Sequence, residues 1–493
     1  MRGGLSGGTF QPLTPDQTDR IIGAAYEVLD RTGIEVLSEP VREVFRRAGA
    51  RIDTERQRVH IPAALIDQAR GCLRQEVLLA GRKPELDVSL GGKRVYLGTG
   101  GSAVKMMQLD GHVRDSTLRD NYDIGRLCDV LEHIHFYMRP VVARDLETHE
   151  IGINSYYACL AATDKHVMAN EYLAHQVCDI RRLGDMISGG AKAFETRPCL
   201  SFALGFTVSP LRFAIETIEI LNEVVTHCIP VALSSAPQAG ATAPAALAGT
   251  LVQITAEQLS GFVYVNLLRP GHPTLMGCVP AQADLRSGAF VGGSAEFGLL
   301  NAAVAQIAQA LNMPLYNSGG IADSKTPDAQ AGFEKGMTTA VAALAGSNYI
   351  HHSAGFLESL MTVAYEQFVI DNDINGAVMR LVRGIEVDEA TLSVDVIDAA
   401  CRGDAHFLNQ PQTLALMNSE YVYPKVFDRQ SRDDWDDRGG LDIREVARAE
   451  AQRILDTHYP RPIPDDLDRD IRKAFDIRLP REVMDPQNLK RAQ

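Results

Sequence analysis

The sequence lacks the motifs of the common nucleophilic and metal-dependent enzymes. It has no G-x-S-x-G elbow, no Walker A loop, no H-E-x-x-H helix and no Cys/His cluster at metal-ligand spacing. Its eight cysteines are scattered without a C-x-x-C pair, which favours a reduced, cytoplasmic setting. The sequence therefore predicts no metal site and gives no support to a triad hydrolase.

Long apolar runs and an excess of positive charge are also missing. The first thirty residues lack the apolar core of a signal peptide, and no later run is long enough to span a bilayer. The net charge of −14 argues against a nucleic-acid surface, because phosphates require clustered Lys and Arg. It is compatible with a cationic substrate, although solubility alone explains the acidity of most acidic proteins. No membrane and no nucleic-acid partner is expected.

The length and composition indicate a folded protein with one large domain and additions, or two domains. The chain has 493 residues, of which 45% are hydrophobic and 23% charged. We expect an N-terminal cap of helices and short strands (1–94), a catalytic domain (95–384) and a helical C-terminal extension (385–493) that ends in a loosely ordered tail. In the cap, Thr14 and Pro15 mark the start of the first helix.

Between residues 95 and 355, short β runs alternate with helical stretches eight or nine times, which is typical of parallel βαβ units. This number of repeats over about 250 residues predicts a (β/α)8 TIM barrel. A doubly wound open sheet is the alternative, but no G-x-G-x-x-G follows an early strand, and polar or glycine-rich residues follow nearly every run. The runs are RVYLGTGG, IHFYMRPVV, KHVMANE, CLSFALGF, IPVALSSA, FVYVNLL, PTLMGC, MPLYNSGG and NYIHHSAG.

The ends of the predicted strands are where a barrel places its active site. Gly100 and Gly101 allow the backbone to approach a ligand closely, although a tight turn explains them equally well. Glu296 lies in the first turn of a helix, where the helix dipole alone also favours it. Two adjacent strand residues point to opposite faces, so at most one of His351 and His352 should enter the barrel.

The stretch LYNSGGIADSKTPDAQAGFEKG, residues 315–336, is unusually polar for a turn. Thr326 is a candidate N-cap with Pro327 at the first helical position, and Gln330 lies on one helix face with Glu334. Capping does not explain why Asp323, Ser324 and Lys325 crowd the loop above the barrel.

Three segments together resemble the trimethylamine methyltransferase family over nearly the whole chain: GGSAEFGLLNAAVAQIAQ, PLYNSGGIADSKTPDAQAGFEK and NYIHHSAGFLES. The resemblance implies a (β/α)8 methyltransferase, from a family related to methanogenesis, that moves a methyl group from an amine to a cobalamin (corrinoid) carried by a separate protein. Founding members use pyrrolysine, which we expect near the polar loop, whereas this sequence contains only standard residues. It is therefore similar to the pyrrolysine-free branch, which acts on glycine betaine, carnitine or proline betaine, and trimethylamine becomes a less favoured substrate.

The resemblance also implies roles for the residues at the strand ends. A quaternary amine needs aromatic faces and a donor for its carboxylate. The catalytic candidates are Asp323, Lys325, His351 and His352; the substrate-binding candidates are Tyr96, Phe206, Glu296, Tyr316 and Phe356; the corrinoid-binding candidates are Gly100, Gly101, Ser324 and Gln330. A barrel that binds a betaine or a corrinoid without turnover is the rival hypothesis. The helical extension would suit a homodimer.

Overall fold

The computed structural model describes residues 4–403 and 405–485. Its main sheet is curled and has nine strands. Leu5–Ser6 lies at its edge and runs antiparallel to Arg94–Leu97. The other eight strands are parallel, and each is followed by at least one helix. They are Arg94–Leu97, Tyr137–Met138, Val167–Ala169, Leu200–Gly205, Val231–Ser235, Thr274–Cys278, Leu315–Ser318 and Tyr349–His351.

The order of the parallel strands follows the chain from Tyr137–Met138 to Tyr349–His351, and Tyr349–His351 then pairs with Arg94–Leu97. A doubly wound sheet would reverse its strand order at one point, and this sheet does not. An isolated parallel bridge also joins Gly98, directly after Arg94–Leu97, to Phe136, directly before Tyr137–Met138. These two strands stand at opposite ends of the parallel series. The sequence therefore predicted a mixed α/β fold with parallel strands correctly.

The helices that connect or follow these strands match the predicted alternation. They are Leu118–Asp129, Thr148–Ala162, Val177–Ser188, Ala191–Thr196, Ile215–Thr226, Leu247–Leu268, Ala295–Ala310, Ala329–Leu344 and Tyr365–Arg383.

One predicted strand is wrong. The run FVYVNLL lies inside the helix Leu247–Leu268. Its β-branched and aromatic residues favour a strand by propensity, but every residue from Thr250 to Asn266 except Val252 is buried. A helix that is buried on all sides has no polar face, and so it loses the 3.6-residue period that identifies amphipathic helices.

The interior of the curled sheet is filled by side chains that alternate along the strands. Phe136, Met168, Leu275, Tyr316 and Tyr349 belong to one buried cluster. A hairpin of the N-terminal region, formed by Val77–Leu79 and Val88–Leu90, packs into the same cluster. The N-terminal cap therefore supplies part of the core of the main sheet.

The cap begins as expected, because Thr14 forms a capping box with Gln17 and Pro15 is the first helical residue. The cap helices are Pro15–Arg31, Glu39–Arg47 and Ala63–Gly71, with short 3₁₀ turns elsewhere at Pro84–Leu86, Ala174–Gln176, Glu358–Leu360 and Arg481–Met484. The remaining short strands are Ile34–Glu35, Arg51–Asp53, Arg58–His60, Lys105–Met107, Val113–Asp115, Thr207–Val208, Arg212–Phe213, Gln238–Ala239, Ala281–Ala283, Phe290–Val291, Phe356–Leu357 and Thr362–Ala364.

After residue 384 the described chain contains helices, as predicted: Val394–Arg402, Pro411–Leu416, Arg432–Asp437, Ile443–Thr457 and Asp465–Ala474. The prediction of a loosely ordered tail is wrong up to residue 485, because Ile471 and Leu479 are buried and Asp468 pairs with Arg472 and Arg481. Residues 486–493 lie outside the described residues. The boundaries predicted for the cap (1–94), the catalytic domain (95–384) and the C-terminal extension (385–493) stay a prediction. Among the described residues, no helix combines the length and apolarity needed to cross a membrane.

Candidate active site

An aromatic stack lies where two neighbouring strands end. The Tyr316 ring is stacked on the His351 ring, with centroids 4.0 Å apart and planes at 18°, and on the Tyr349 ring at 5.5 Å. Tyr349 and His351 are two positions apart in one strand, so both point into the sheet interior. The strand ends therefore carry one continuous aromatic surface.

The two histidines meet, contrary to the expectation that they point to opposite faces. The strand ends at His351, and His352 has φ of 66°, which is outside the extended region. The alternation of a strand therefore does not apply to His352. The ring centroids are 3.9 Å apart, and His351 Nδ1 lies 3.2 Å from His352 Nε2.

The hydrogen bonds around this pair define its tautomers. His352 Nε2 lies 2.9 Å from the carbonyl oxygen of Gly101, which only accepts, so Nε2 carries the proton. His352 Nδ1 then accepts from the Ser318 hydroxyl at 2.8 Å. His351 Nδ1 faces a protonated nitrogen and acts as acceptor, so its Nε2 is the donor. This Nε2 is buried and has no hydrogen-bond partner among the described residues.

Burial keeps both imidazoles uncharged. It lowers the pKa of His352 to about 4, with a further contribution from the Lys335 ammonium. Burial and the neighbouring His352 lower the pKa of His351 well below its usual range. At pH 7 the pair is neutral, and it offers one N–H donor and no positive charge.

The two predicted glycines occupy positions where a Cβ would clash with neighbouring atoms. A Cβ on Gly100 would lie 1.9 Å from His352 Cδ2, and a Cβ on Gly101 would lie 2.9 Å from the carbonyl oxygen of Arg139. Phe356 contacts the His352 ring edge to face at 5.0 Å. The structure therefore brings together His351, His352 and the predicted Gly100, Gly101, Tyr316 and Phe356.

The polar loop is tied together by its own side chains. Asp323 Oδ1 accepts from Gly292 N–H at 3.0 Å and from the Ser359 hydroxyl at 2.7 Å, and Oδ2 accepts from Gly293 N–H at 3.1 Å. The Ser324 hydroxyl donates to Asp328, and the exposed Lys325 ammonium donates to the Asp323 carbonyl at 2.8 Å. These bonds connect three loops, and the catalytic role of Asp323 and Lys325 stays a prediction.

The following helix begins later than expected. Its first residue is Ala329, and its N-cap is Asp328, which accepts from Ala331 N–H at 2.9 Å, so the prediction of Thr326 as N-cap is wrong. Asp is preferred over Thr as an N-cap residue, and Pro327 is compatible with either start. Gln330 donates to Glu334 at 2.8 Å, one turn apart on one face, as the spacing predicts.

A buried ion pair lies beneath this loop. Lys335 and Asp371 are both fully buried, and Lys335 Nζ lies 3.1 Å from Asp371 Oδ2. Lys335 also donates to the carbonyls of Gly320 and Phe356, and Asp371 accepts from Gly355 N–H. The pair therefore joins the loops that follow both strands of the aromatic stack.

Three predicted substrate-binding residues lie elsewhere. Tyr96 lies beside Tyr349 in the adjacent strand, one layer below His351, and its hydroxyl accepts from Gly4 N–H at 3.2 Å. Phe206 is buried against Gly261 of the long helix, and Glu296 is exposed in the first turn of Ala295–Ala310. Their contribution to substrate binding stays a prediction.

Sequence reasoning missed two charged residues that follow neighbouring strands. Arg139 is buried, and its Nε and Nη1 have no hydrogen-bond partner in the described part of the chain. Burial raises the pKa of Glu171 above its usual range. Arg139 and Glu171 follow the apolar residues of the predicted runs IHFYMRPVV and KHVMANE. Their position at the end of a predicted strand was the sequence signal that could have identified them. Within residues 4–403 and 405–485, no group of three or more His, Cys, Asp or Glu side chains could hold a metal ion.

Comparison with known proteins gives a consistent result. A sequence model described as trimethylamine methyltransferase matches residues 6–482. The chain is 33% identical to a trimethylamine methyltransferase of Desulfitobacterium hafniense (strain DSM 10664 / DCB-2), covering 96% of this chain and 94% of that protein. It is 31% identical to a glycine betaine methyltransferase of Desulfitobacterium hafniense (strain Y51), covering 96% and 98%. The crystal structure of a Methanosarcina barkeri monomethylamine methyltransferase covers 92% of this chain and 89% of its own, with a TM-score of 0.53 at 12% identity, which indicates a similar fold.

Proposed function

The chain belongs to the trimethylamine methyltransferase family, and we propose that it transfers a methyl group from glycine betaine to the reduced cobalt of a corrinoid carried by a separate protein. The observation that carries the choice of a quaternary amine is the neutral histidine pair beside stacked aromatic rings. Because both imidazoles stay uncharged, the histidine pair does not repel a permanent cation.

The residues present suit the needs of this reaction. The nitrogen leaves as a neutral amine that keeps the electron pair of the broken C–N bond, the carboxylate of the donor stays ionised, and the pair for the new Co–C bond would come from Co(I). No proton is transferred, so no general acid is required. The protein must orient the methyl group and stabilise the cation in a partly dry site. Aromatic faces such as those of Tyr316 and Phe356 contribute about 2 kcal/mol when the cation is desolvated.

In this proposal the eight parallel strands close into a (β/α)8 barrel, and the corrinoid lies over its mouth. The bridge between Gly98 and Phe136, with the hydrogen bond from His135 N–H to the Leu97 carbonyl at 2.7 Å, supports closure. Gly100, Gly101, Ser324 and Gln330 would contact the corrinoid, and Asp323, Lys325 and the histidine pair would meet the substrate from the surrounding loops.

Methyl transfer can be followed directly. The protein is mixed with a cognate corrinoid protein held as Co(I), and the cobalt spectrum is recorded after addition of glycine betaine, carnitine, proline betaine, choline or trimethylamine. Conversion of Co(I) with glycine betaine supports the proposal, and conversion with another amine alone changes the substrate within the same reaction. If every amine leaves Co(I) unchanged, the methyltransferase hypothesis fails. The rival, a barrel that binds without turnover, predicts binding of an amine in that case.

We also propose a homodimer in which a segment of each copy fills a groove on the other. The groove, of about 870 Å³, lies between the helices Ala329–Leu344 and Tyr365–Arg383. Gly332 and Gly336 line it, and a Cβ on either would meet nothing within 4 Å. After the helix Tyr365–Arg383, the described residues 385–403 and 405–423 include exposed apolar side chains, among them Ile385 (87%), Val394 (70%) and Leu408 (81%). Exposed apolar patches of this kind mark interfaces.

The two surfaces give matched variants. Val394→Asp charges the segment, and Gly336→Leu fills the groove on the other side of the contact. Each should convert a dimer to a monomer in size-exclusion chromatography with light scattering. A monomeric unaltered protein, or a dimer that survives both changes, would contradict this interface.

A further inference from the structure

Arg139 is a buried guanidinium without a counter-charge in contact. It follows the strand Tyr137–Met138, at the end of the sheet where His351 lies, and is 1% exposed. Nη2 lies 3.3 Å from both the Ser102 hydroxyl and the Tyr172 hydroxyl, and the guanidinium carbon lies 5.9 Å from the Tyr172 ring centre. Nε and Nη1 are buried and unpartnered, and no carboxylate of the described residues forms an ion pair with this arginine.

This arrangement is unfavourable unless something negative binds to it. An arginine side chain is always charged in proteins, and burial of a charge is costly without a partner. Glu171 is near enough to interact electrostatically, but its Oε1 accepts from Tyr172 N–H and Leu173 N–H, and its Oε2 lies against Gly152. Burial raises the pKa of Glu171 while the charge of Arg139 lowers it, and no hydrogen bond or ion pair joins the two side chains in the described structure.

Arg139 and the histidine pair contact consecutive residues of one short loop. The carbonyl of Gly101 contacts His352 Nε2, and the hydroxyl of the next residue, Ser102, contacts Arg139 Nη2. Ser102 and Tyr172 are both exposed, so the residues that contact Arg139 Nη2 lie at the protein surface. The arginine and the neutral histidine pair therefore lie close to the same loop at one end of the sheet.

We propose that Arg139, with Ser102 and Tyr172, binds the carboxylate of a zwitterionic methyl donor. The inference rests on the proposed function and deepens it, because it selects betaines over amines without a carboxylate. A guanidinium offers two parallel N–H groups that match the geometry of a carboxylate. The ammonium end would then face the aromatic rings and uncharged imidazoles. Arg139 thus becomes the specificity residue that distinguishes glycine betaine from trimethylamine.

The test compares two ligands that differ in the carboxylate. Binding of glycine betaine and of tetramethylammonium is measured by calorimetry on the protein alone, without a corrinoid protein. Arg139→Gln should weaken glycine betaine about 10- to 100-fold, the range expected for loss of hydrogen bonds to a charged group, and leave tetramethylammonium unchanged. Arg286→Gln is the matched control, since Arg286 is exposed and already paired with Asp284. It should change neither affinity.

A second variant and a stability measurement separate binding from folding. Ser102→Ala with Tyr172→Phe alters exposed side chains and should weaken glycine betaine alone. Without ligand, Arg139→Gln should melt no lower than the unaltered protein, because the change removes an unpaired buried charge. A much lower melting temperature, or equal loss of both ligands, would make Arg139 a structural residue and overturn the inference.

The outcomes also distinguish this inference from the proposed function. Arginine-dependent binding of glycine betaine without methyl transfer to Co(I) supports the carboxylate site and refutes the methyltransferase activity on that substrate. Methyl transfer from glycine betaine that is equally efficient with Arg139→Gln refutes the carboxylate site and leaves the proposed function intact.

Discussion

Replacement of Lys335 by methionine should destabilise the protein strongly. The change leaves the Asp371 carboxylate fully buried without its counter-ion, and it removes the donor to the carbonyls of Gly320 and Phe356. Removal of one partner from a buried ion pair costs about 3–5 kcal/mol. Lys325→Met, ten residues earlier, is the control: that ammonium is exposed and binds one carbonyl, so the expected loss is about 0.5 kcal/mol.

The free energy of unfolding is measured by urea denaturation of Lys335→Met, Lys325→Met and the double variant Lys335→Met with Asp371→Asn. An asparagine removes the unpaired charge and still offers an oxygen to Gly355 N–H, so the double variant should be more stable than Lys335→Met alone. Methyl transfer should also fall in Lys335→Met, because both loops beside His352 lose a contact. The reasoning is refuted if Lys335→Met costs no more than Lys325→Met, or if the double variant is the less stable one.

Three further outcomes follow from the same contacts. Gly100→Ala should abolish most methyl transfer with the fold retained, because the new Cβ would occupy the position of the His352 ring. The control Gly23→Ala, in open space on a helix, should raise stability by up to about 1 kcal/mol. Equal methyl-transfer activity of the two variants would contradict the clash. The pKa of His352 in the folded protein, about 4, lies below the unfolded value near 6.5, so the unfolded state binds a proton first as pH falls. The contribution of this residue to stability is therefore complete above pH 6.5, and about 1.4 kcal/mol of it is lost per pH unit as pH falls from 6.5 towards 4. His352→Gln should reduce that slope in urea denaturation at pH 5 to 6.5, and an unchanged slope would mean that His352 titrates normally in the fold. Asp323→Asn should lower stability by about 1–3 kcal/mol through its contacts with Gly292, Gly293 and Ser359, and a change in rate without a change in stability would instead favour the predicted catalytic role.

The sequence was most informative where local signals agreed. Eight of the nine predicted β runs coincide with parallel strands, because each combines a short apolar stretch with a Gly or polar residue at its end. The ninth run, FVYVNLL, lies in a helix that is buried on all sides. Its residue propensities favour a strand, and no amphipathic period of 3.6 residues identifies the helix. The pairing of Tyr349–His351 with Arg94–Leu97 could not be read from any one segment, since the two strands are about 250 residues apart in the sequence.

The site was harder to predict, because its geometry depends on single backbone angles and on long-range contacts. Strand alternation separated His351 from His352, and one positive φ angle brings them together. Lys335 lies on the same buried face of its helix as Ala331 and Thr338, and it was not among the site residues predicted from the sequence. Its partner Asp371 is 36 residues away, and no local pattern identifies such a pair.

The buried charges of the strand ends differ in one respect that bears on substrate choice. Lys335 is neutralised by Asp371, and the histidine pair is uncharged, so neither provides an electrostatic preference for an anion or a cation. Among these groups, Arg139 keeps a charge with hydroxyl contacts but without a contacting counter-charge in the described structure. A substrate with only a positive charge would gain nothing from this arginine, whereas a zwitterion would offset it with its carboxylate and leave its ammonium among neutral rings. The distribution of charge therefore favours a betaine over trimethylamine.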